Sequence, residues 1–201
     1  MKQVIKYTDF LSFYLYQRVA YLTLLYIRRF EWLTPNKITL FALISGLLSA
    51  FAVVKGKYLL SISLLQFSFV LDCLDGQLAR YRDLSSEIGM WFDNIVDRVV
   101  ENSIIVALIT TKAQFQFGIY LVFINMFYSY LADLELYQRV EYKKLTTKEK
   151  IIFFPIYLLN RSFVTLILTL SIIYFKMLYL LFGVYIYGVV FRVYRKIYGR
   201  A

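Results

Sequence analysis

Four aspartates lie inside two apolar stretches of the sequence that are joined by a short polar turn. They are Asp72 and Asp75 in the first stretch and Asp93 and Asp97 in the second. A carboxylate in a membrane-spanning segment costs about 2.5 to 3.5 kcal/mol on insertion scales. Four close together would also repel one another unless cations lay between them. Hard oxygen ligands suit Mg²⁺ or Mn²⁺, so the residue types indicate a metal centre.

The spacing of these aspartates predicts that their side chains converge. One pair is three residues apart and the other is four apart, so each pair lies along one face of a helix. We expect the two stretches to fold as antiparallel helices about the turn near residues 84 and 85. Asp72 then reaches the depth of Asp97, and the inner two aspartates also match in depth. Four converging carboxylates suit a two-metal site, which stabilises the attacking and leaving oxygens of a displacement at phosphate.

The same stretch carries a longer pattern of residue types and spacings. From residue 72 to residue 97 it reads D-x2-D-G-x2-A-R-x8-G-x3-D-x3-D. This pattern resembles the signature of the CDP-alcohol phosphotransferases, also called CDP-alcohol phosphatidyltransferases. All signature residues are present: Asp72, Asp75, Gly76, Ala79, Arg80, Gly89, Asp93 and Asp97. The size and hydropathy of the remaining chain also fit the six-helix membrane domain of that family.

The resemblance implies an enzyme of phospholipid biosynthesis. It would move a substituted phosphate from a CDP-alcohol, either a CDP-diacylglycerol-like lipid or a CDP-polyol, to the hydroxyl of a second alcohol, releasing CMP. Two divalent cations, Mg²⁺ or Mn²⁺, would be held by Asp72, Asp75, Asp93 and Asp97. Asp97 would also be the catalytic residue that takes the proton of the acceptor hydroxyl. Members of the family often form homodimers, so we expect one here.

The resemblance also implies a slot for the CDP group. Its residues would be Asp72, Gly76, Ala79, Arg80 and Gly89, in which the small residues admit the diphosphate and the arginine supplies positive charge. The segment TPNKIT at residues 34–39 predicts a helix start, with Thr34 as N-cap and Pro35 at the first helical position. Because the family commonly has a similar Pro-Asn element here, Asn36 and Thr39 are further candidates for CDP contacts. Capping alone would also explain this segment.

Three arginines are candidates for binding the acceptor. Arg161 falls inside an apolar run, and Arg192 and Arg195 lie near the end of the last one. If they converge near the metal site, they would bind an acceptor that carries a phosphate, either inositol phosphate or glycerol phosphate. Serine or another unphosphorylated acceptor is the alternative. Ordinary cytoplasmic cations would equally explain Arg192 and Arg195.

Composition and charge predict an all-α polytopic membrane protein. Of its 201 residues, 60% are hydrophobic and 19% aromatic, far above a soluble protein. Apolar runs long enough to span a membrane occur six times, at 36–54, 58–80, 88–111, 114–136, 152–174 and 177–194. Residues 1–33 predict an amphipathic helix lying in the membrane interface, with a seventh spanning helix as the rival. Residues 34–201 would then form the six-helix membrane domain, in a chain that is a single domain overall.

The distribution of positive charge predicts the orientation in the cell membrane. With alternating sides, only Lys55, Lys57, Lys112 and Lys176 fall on one side, and the other loop and terminal cations fall on the opposite side. The positive-inside rule puts both termini and the active site on the cytoplasmic face. The net charge of +10 is thereby explained by topology and by a basic stretch at residues 137–150, so no nucleic-acid partner is expected.

Two local contacts are also predicted around the polar turn. Ser85 or Ser86 is placed to cap the helix that follows it. Arg98 points about 100° away from the aspartate face, so pairing with Glu101 three residues later or with a neighbouring helix is expected.

Other classes of function remain open at this point. The absence of histidine excludes His-based metal sites and His general bases, and the single cysteine, Cys73, excludes an intramolecular disulfide framework. Another dimetal membrane transferase, such as a prenyltransferase, would share aspartate-rich motifs but not the glycine, alanine and arginine positions of this signature. A cation transporter could also use intramembrane acids.

Overall fold

A computed structural model describes residues 12–137 and 160–198, and throughout these residues the regular structure is helical. A π-helical turn at Ser12–Tyr16 leads into the first α-helix. The α-helices are α1 (Gln17–Ile27), α2 (Pro35–Val54), α3 (Tyr58–Tyr81), α4 (Glu87–Lys112), α5 (Phe115–Tyr137), α6 (Arg161–Ile173) and α7 (Met177–Tyr198). The all-α prediction is therefore confirmed for the described residues.

The helix bounds follow the apolar runs closely. Helices α2, α3, α4, α5 and α7 begin within a residue of the predicted runs, and the last extends four residues beyond its run. Four of them are long and apolar enough to cross a membrane, namely α2, α3, α5 and α7. Helix α4 carries too many charges to meet that criterion, and α6 has only 13 described residues. Residues 1–11 and 152–159, Pro155, and the basic stretch at 138–150 lie outside the described residues.

The chain forms two compact units, one up to Thr111 and the other from Lys112. In the first unit, the N-terminal segment packs on α3. Ala20 and Leu24 of α1 form a buried cluster with Ile38, Leu74 and Leu78. Hydrogen bonds reinforce this packing.

The Tyr16 hydroxyl donates to Gln66 Oε1 at 2.5 Å, and the buried Gln77 Nε2 donates to the Gln17 carbonyl at 2.8 Å. Burial raises the pKa of the Tyr16 phenol above its ordinary value, so the hydroxyl keeps the proton that it donates.

Helices α2 and α3 are joined by serines along their length. Ser49 Oγ donates to the Ser61 carbonyl at 2.7 Å and Ser45 Oγ donates to the Leu64 carbonyl at 2.8 Å. In the opposite direction, Ser68 Oγ donates to the Ala42 carbonyl at 2.7 Å. Small residues let two helices approach closely, and each hydroxyl then meets a backbone carbonyl of its partner. This seam fixes the rotation of α2 against α3, and so sets which side chains α2 presents at the aspartate end.

Helix α4 also approaches α2 at a glycine. A Cβ on Gly46 would lie 2.4 Å from Val100 Cγ2, a distance that carbon atoms do not tolerate. The missing side chain thus allows Val100 to pack directly on the α2 backbone. This contact lies one turn beyond Asp97 and helps to position the acidic face of α4 against α2.

Candidate functional site

The polar turn between α3 and α4 is built by two local motifs. Helix α3 ends at Tyr81, and Asp83 adopts a left-handed conformation with φ of 56°. The Leu84 amide then donates to the Ala79 carbonyl at 2.8 Å, which completes a Schellman-type C-cap. Ser86 caps α4 as predicted, because its Oγ accepts a hydrogen bond from the Gly89 amide at 3.0 Å. The turn is therefore short and well determined, and it returns the chain alongside α3.

This antiparallel arrangement brings three of the four aspartates together. Each of Asp72, Asp75 and Asp93 offers a carboxylate oxygen, and these oxygens all lie within 4.8 Å of one another. Asp75 is buried and the other two are half-buried. Asp97 lies one helical turn beyond Asp93, is 5% exposed, and is not in this close group. The predicted convergence holds for three carboxylates, and the role of Asp97 as a metal ligand stays a prediction.

Helix α2 contributes a hydroxyl that orients the buried aspartate. Thr39 Oγ1 donates to Asp75 Oδ2 at 2.5 Å, and Pro35 O lies 3.2 Å from the same hydroxyl oxygen. The sequence predicted Thr39 as a contact for the CDP group and missed this bond. Nothing in the spacing of the motif could have indicated it, since the two residues are 36 positions apart. The helix start was predicted correctly, although the Thr34 hydroxyl makes no capping hydrogen bond with the described residues.

A cavity of about 260 Å³ opens beside the three aspartates. Its walls come from the start of α2, the end of α3, the polar turn and the start of α4. The lining residues are Pro35, Asn36, Thr39, Asp75, Gly76, Ala79, Arg80, Leu84, Ser85, Ser86, Gly89, Met90 and Asp93. Six of the seven residues predicted for the CDP slot line this cavity, and only Asp72 does not. The seventh instead contributes to the carboxylate group at its edge.

Small residues and one arginine shape the wall of the cavity. A Cβ on Gly76 would lie 3.2 Å from a terminal nitrogen of Arg80, so the glycine leaves room for the guanidinium along the helix face. Gly89 is slightly closer to a neighbour, because a Cβ there would lie 3.0 Å from Ser86 Oγ. Leu84, Ser85, Ser86 and Met90 also line the cavity and were not predicted as slot residues. Their position directly around the polar turn was the available signal.

The donor set fits a divalent cation. Three carboxylates with closely spaced oxygens supply the hard, negatively charged ligands that Mg²⁺ and Mn²⁺ prefer. Arg80, with a half-buried side chain on the cavity wall, adds a fixed positive charge next to this group. A phosphate-containing ligand would therefore meet both carboxylate-held cations and a guanidinium in one cavity.

Farther along α4, the predicted pair forms. Arg98 donates to Glu101 Oε2 at 2.7 Å, and Glu101 is buried. Arg98 is thus paired within its own helix.

The three candidate acceptor arginines lie in the second unit, and each has different surroundings. Arg161 is the first residue of α6, and the Arg195 guanidinium lies 5.6 Å from the centre of the Phe191 ring. Arg192 forms an ion pair with Glu135 and donates to the Tyr128 hydroxyl at 3.1 Å. The Arg192 guanidinium therefore clamps α7 to α5, a contact that the sequence analysis missed. A phosphate-binding role for the three arginines stays a prediction.

Known proteins share parts of this sequence. Residues 32–192 match the family model described as CDP-alcohol phosphatidyltransferase. A bifunctional IPC transferase and DIPP synthase from Thermococcus kodakarensis is 37% identical over 78 residues, which is 39% of this chain and 18% of that protein. A probable cardiolipin synthase (CMP-forming) from Drosophila melanogaster is 31% identical over 78 residues, which is 38% of this chain and 24% of that protein. The chain thus matches about a fifth of the length of these curated relatives.

A solved structure extends the likeness to the whole fold. The phosphatidylinositol phosphate synthase of Mycobacterium tuberculosis, crystallised with CDP-DAG bound, superposes with a TM-score of 0.59. The match covers 90% of this chain and 91% of that one at 17% identity, which shows a common fold. The family model spans most of the present sequence and includes the whole aspartate motif. The chain therefore belongs to the CDP-alcohol phosphatidyltransferase family.

Proposed function

We propose that this protein is an integral-membrane CDP-alcohol phosphotransferase. It transfers a substituted phosphate from a CDP-alcohol to the hydroxyl of a second alcohol and releases CMP. The observation that carries the proposal is the cavity whose walls hold the motif residues Asp75, Gly76, Arg80 and Asp93. Family membership supports the same reaction class. The name of one relative includes CMP formation, and the structural neighbour was solved with CDP-DAG, which fits a cytidine diphosphate donor.

The aspartates of the site bind the metal ions. Asp72, Asp75 and Asp93 hold divalent cations, Mg²⁺ or Mn²⁺, with Asp97 as a further ligand. When bound, these cations neutralise the diphosphate and stabilise the charge that develops on the phosphoryl oxygens. Thr39 keeps the Asp75 carboxylate in one orientation through its 2.5 Å hydrogen bond.

The remaining groups bind the donor and move the proton. The cavity accommodates the CDP group, with the Arg80 guanidinium as a fixed donor to phosphate oxygens. A carboxylate oxygen of Asp97 accepts the proton of the acceptor hydroxyl as the hydroxyl oxygen attacks phosphorus and CMP leaves. Burial of Asp97 keeps bulk water away from this carboxylate.

We further propose a phosphorylated acceptor, either inositol phosphate or glycerol phosphate. Arg161, Arg192 and Arg195 supply guanidinium groups, which suit the net negative charge of a phosphate monoester better than serine, which carries no net charge. The name of the structural neighbour, a phosphatidylinositol phosphate synthase, is consistent with such an acceptor. Because Arg192 is already paired with Glu135, its contribution requires the phosphate to share or replace that partner.

The proposed setting is the cell membrane. Six spanning helices follow an interfacial N-terminal segment, the termini and the active site face the cytoplasm, and the enzyme works as a homodimer. The four long apolar helices support membrane insertion, and the distribution of lysines and arginines supports the orientation.

CMP release tests the proposal. Purified protein in detergent is given radiolabelled CDP-diacylglycerol, its ether-lipid analogue or CDP-inositol, each with inositol phosphate, glycerol phosphate or serine and with Mg²⁺ or Mn²⁺. We expect CMP release from at least one pair that contains a phosphorylated acceptor, and its loss in Asp97→Asn. Glu87→Gln, which neutralises an exposed acid in the first turn of α4, is the control and keeps activity.

Two results would contradict the proposal. Turnover with serine alone would exclude the phosphorylated acceptor while leaving the reaction class intact. Divalent-metal flux in proteoliposomes, without CMP release from any donor, would instead favour a transporter.

A further inference from the structure

One guanidinium donates hydrogen bonds to several backbone carbonyls of the connector between α1 and α2, residues 28–34. We call these hydrogen bonds the Arg82 clamp. Arg82, the C-cap residue of α3, donates from one terminal nitrogen to the Leu33 carbonyl at 2.6 Å. Its other terminal nitrogen donates to the Phe30 carbonyl at 2.9 Å and contacts the Arg28 carbonyl at 3.3 Å. From the sequence, Arg82 is only one of the loop cations expected on the cytoplasmic face. The structure gives it three carbonyl partners that lie 49 to 54 residues earlier in the chain.

The chemistry of this contact explains why an arginine is used. Carbonyls at the end of a helix lack intrahelical donors and carry the negative end of the helix dipole. Arg28 is the C-cap residue of α1, so its carbonyl belongs to this set. A guanidinium has five N–H donors in a rigid planar fork and can serve several carbonyls at once, whereas a lysine ammonium is a single compact charge.

The two chain segments that the Arg82 clamp joins both continue directly into the cavity wall. The connector leads into Pro35 and Asn36, while Arg82 is followed by Leu84 and Ser85, and all four of these neighbours line the cavity. Arg82 is not itself a lining residue. Its hydrogen bonds therefore fix the separation between two wall segments that are far apart in sequence.

We propose that Arg82 is a positioning residue that sets the width of the donor cavity by tying the α1–α2 connector to the α3–α4 turn. This inference rests on the proposed function of the cavity as the CDP site. Loss of the clamp lets the start of α2 move away from the turn, so the donor binds more weakly. The carboxylate group on α3 and α4 is held by the α3–α4 turn itself, so the chemical step changes less than donor binding does.

The kinetic test compares Arg82→Gln and Arg82→Lys with Arg18→Gln. Arg18 is an exposed cation of α1 whose guanidinium lies 5.2 Å from the centre of the Tyr14 ring, so its replacement makes the same charge change without touching the clamp. We expect KM for the CDP-alcohol to rise at least about tenfold in Arg82→Gln, with kcat at saturating donor changed by no more than about threefold. The KM of Arg82→Lys should lie between those of Arg82→Gln and the unmodified protein, and the KM of Arg18→Gln should equal that of the unmodified protein.

Limited trypsin digestion supplies a readout that does not depend on activity. Arg28 and Arg29 are exposed cleavage sites within the clamped connector. We expect cleavage after these residues to accelerate at least about fivefold in Arg82→Gln but not in Arg18→Gln, because a freed connector opens more often.

The outcomes separate this inference from the proposed function. An unchanged donor KM and an unchanged trypsin rate in Arg82→Gln would overturn the clamp. A kcat loss with unchanged KM would also overturn it, because a defect in chemistry alone is not the effect of a wider cavity. If the unmodified protein turns over no CDP-alcohol, the proposed function fails. The role of Arg82 is then tested by comparing the affinity of the same variants for CDP. If Arg82→Gln fails to fold, the same criteria apply to Arg82→Lys.

Discussion

Replacing Thr39 with valine removes the hydroxyl that holds Asp75 while keeping a side chain of similar volume. The bond to Asp75 Oδ2 is 2.5 Å long and buried, so its acceptor is a largely desolvated carboxylate. A hydrogen bond to a charged group contributes about 1.5 to 3 kcal/mol. Since about 1.4 kcal/mol corresponds to a factor of ten, the loss equals about 10- to 140-fold in an equilibrium constant. Removing a partner that orients a metal ligand typically costs about 10- to 100-fold in metal affinity, which agrees.

We therefore expect Thr39→Val to raise the Mn²⁺ concentration for half-maximal CMP release by about 10- to 100-fold. Thr39→Ser is the matched control, because it keeps the hydroxyl and removes only the methyl group. Direct Mn²⁺ binding, followed by electron paramagnetic resonance of the purified protein, should shift by the same factor. This second measurement separates metal binding from any effect on catalysis.

Two results would refute this reasoning. An unchanged Mn²⁺ dependence in Thr39→Val would mean that the hydroxyl does not support a metal ligand. A raised KM for the donor at unchanged Mn²⁺ affinity would instead favour the sequence-based prediction that Thr39 contacts the CDP group directly.

Two further predictions concern the packing that surrounds the site. Gly46→Ala should destabilise the protein by about 1 to 3 kcal/mol, because the new methyl group overlaps Val100. Adding Val100→Ala should restore much of the lost stability, as measured by thermal unfolding in detergent. Additive losses of stability in the double variant would contradict this. Arg192→Met should lower the unfolding temperature, because it leaves the Glu135 carboxylate without its cation. Adding Glu135→Met should recover part of the lost unfolding temperature. A double variant less stable than Arg192→Met would show that the pair is not what stabilises α5 against α7.

The local structure of this chain was readable from the sequence because it depends on short-range rules. Apolar runs of membrane length predicted α2, α3, α4, α5 and α7 to within a few residues. Pro35 at a first helical position and Ser86 before α4 marked two helix starts. The prediction that the four aspartates meet also followed locally, since a short turn between two helices leaves them antiparallel neighbours, and the structure brings three of the four together.

Contacts between distant segments were not readable in the same way. Thr39 meets Asp75, Arg82 meets the connector carbonyls and Arg192 meets Glu135 across separations of 36 to 57 residues. Each depends on how far a helix is rotated about its axis and slid along its neighbour. The hydrophobic period leaves that rotation undetermined in a helix that is apolar almost all round, as α2 is.

The sequence by itself thus predicted the class of chemistry, because the types and spacing of the acidic residues limit what they can bind. Tertiary structure alone decided which neutral and cationic side chains support those acids. The serine seam and the Gly46 contact set the rotation of α2 against α3 and α4, and that rotation brings Thr39 to Asp75. Such a fit arises from packing between surfaces, which no single segment of the chain encodes.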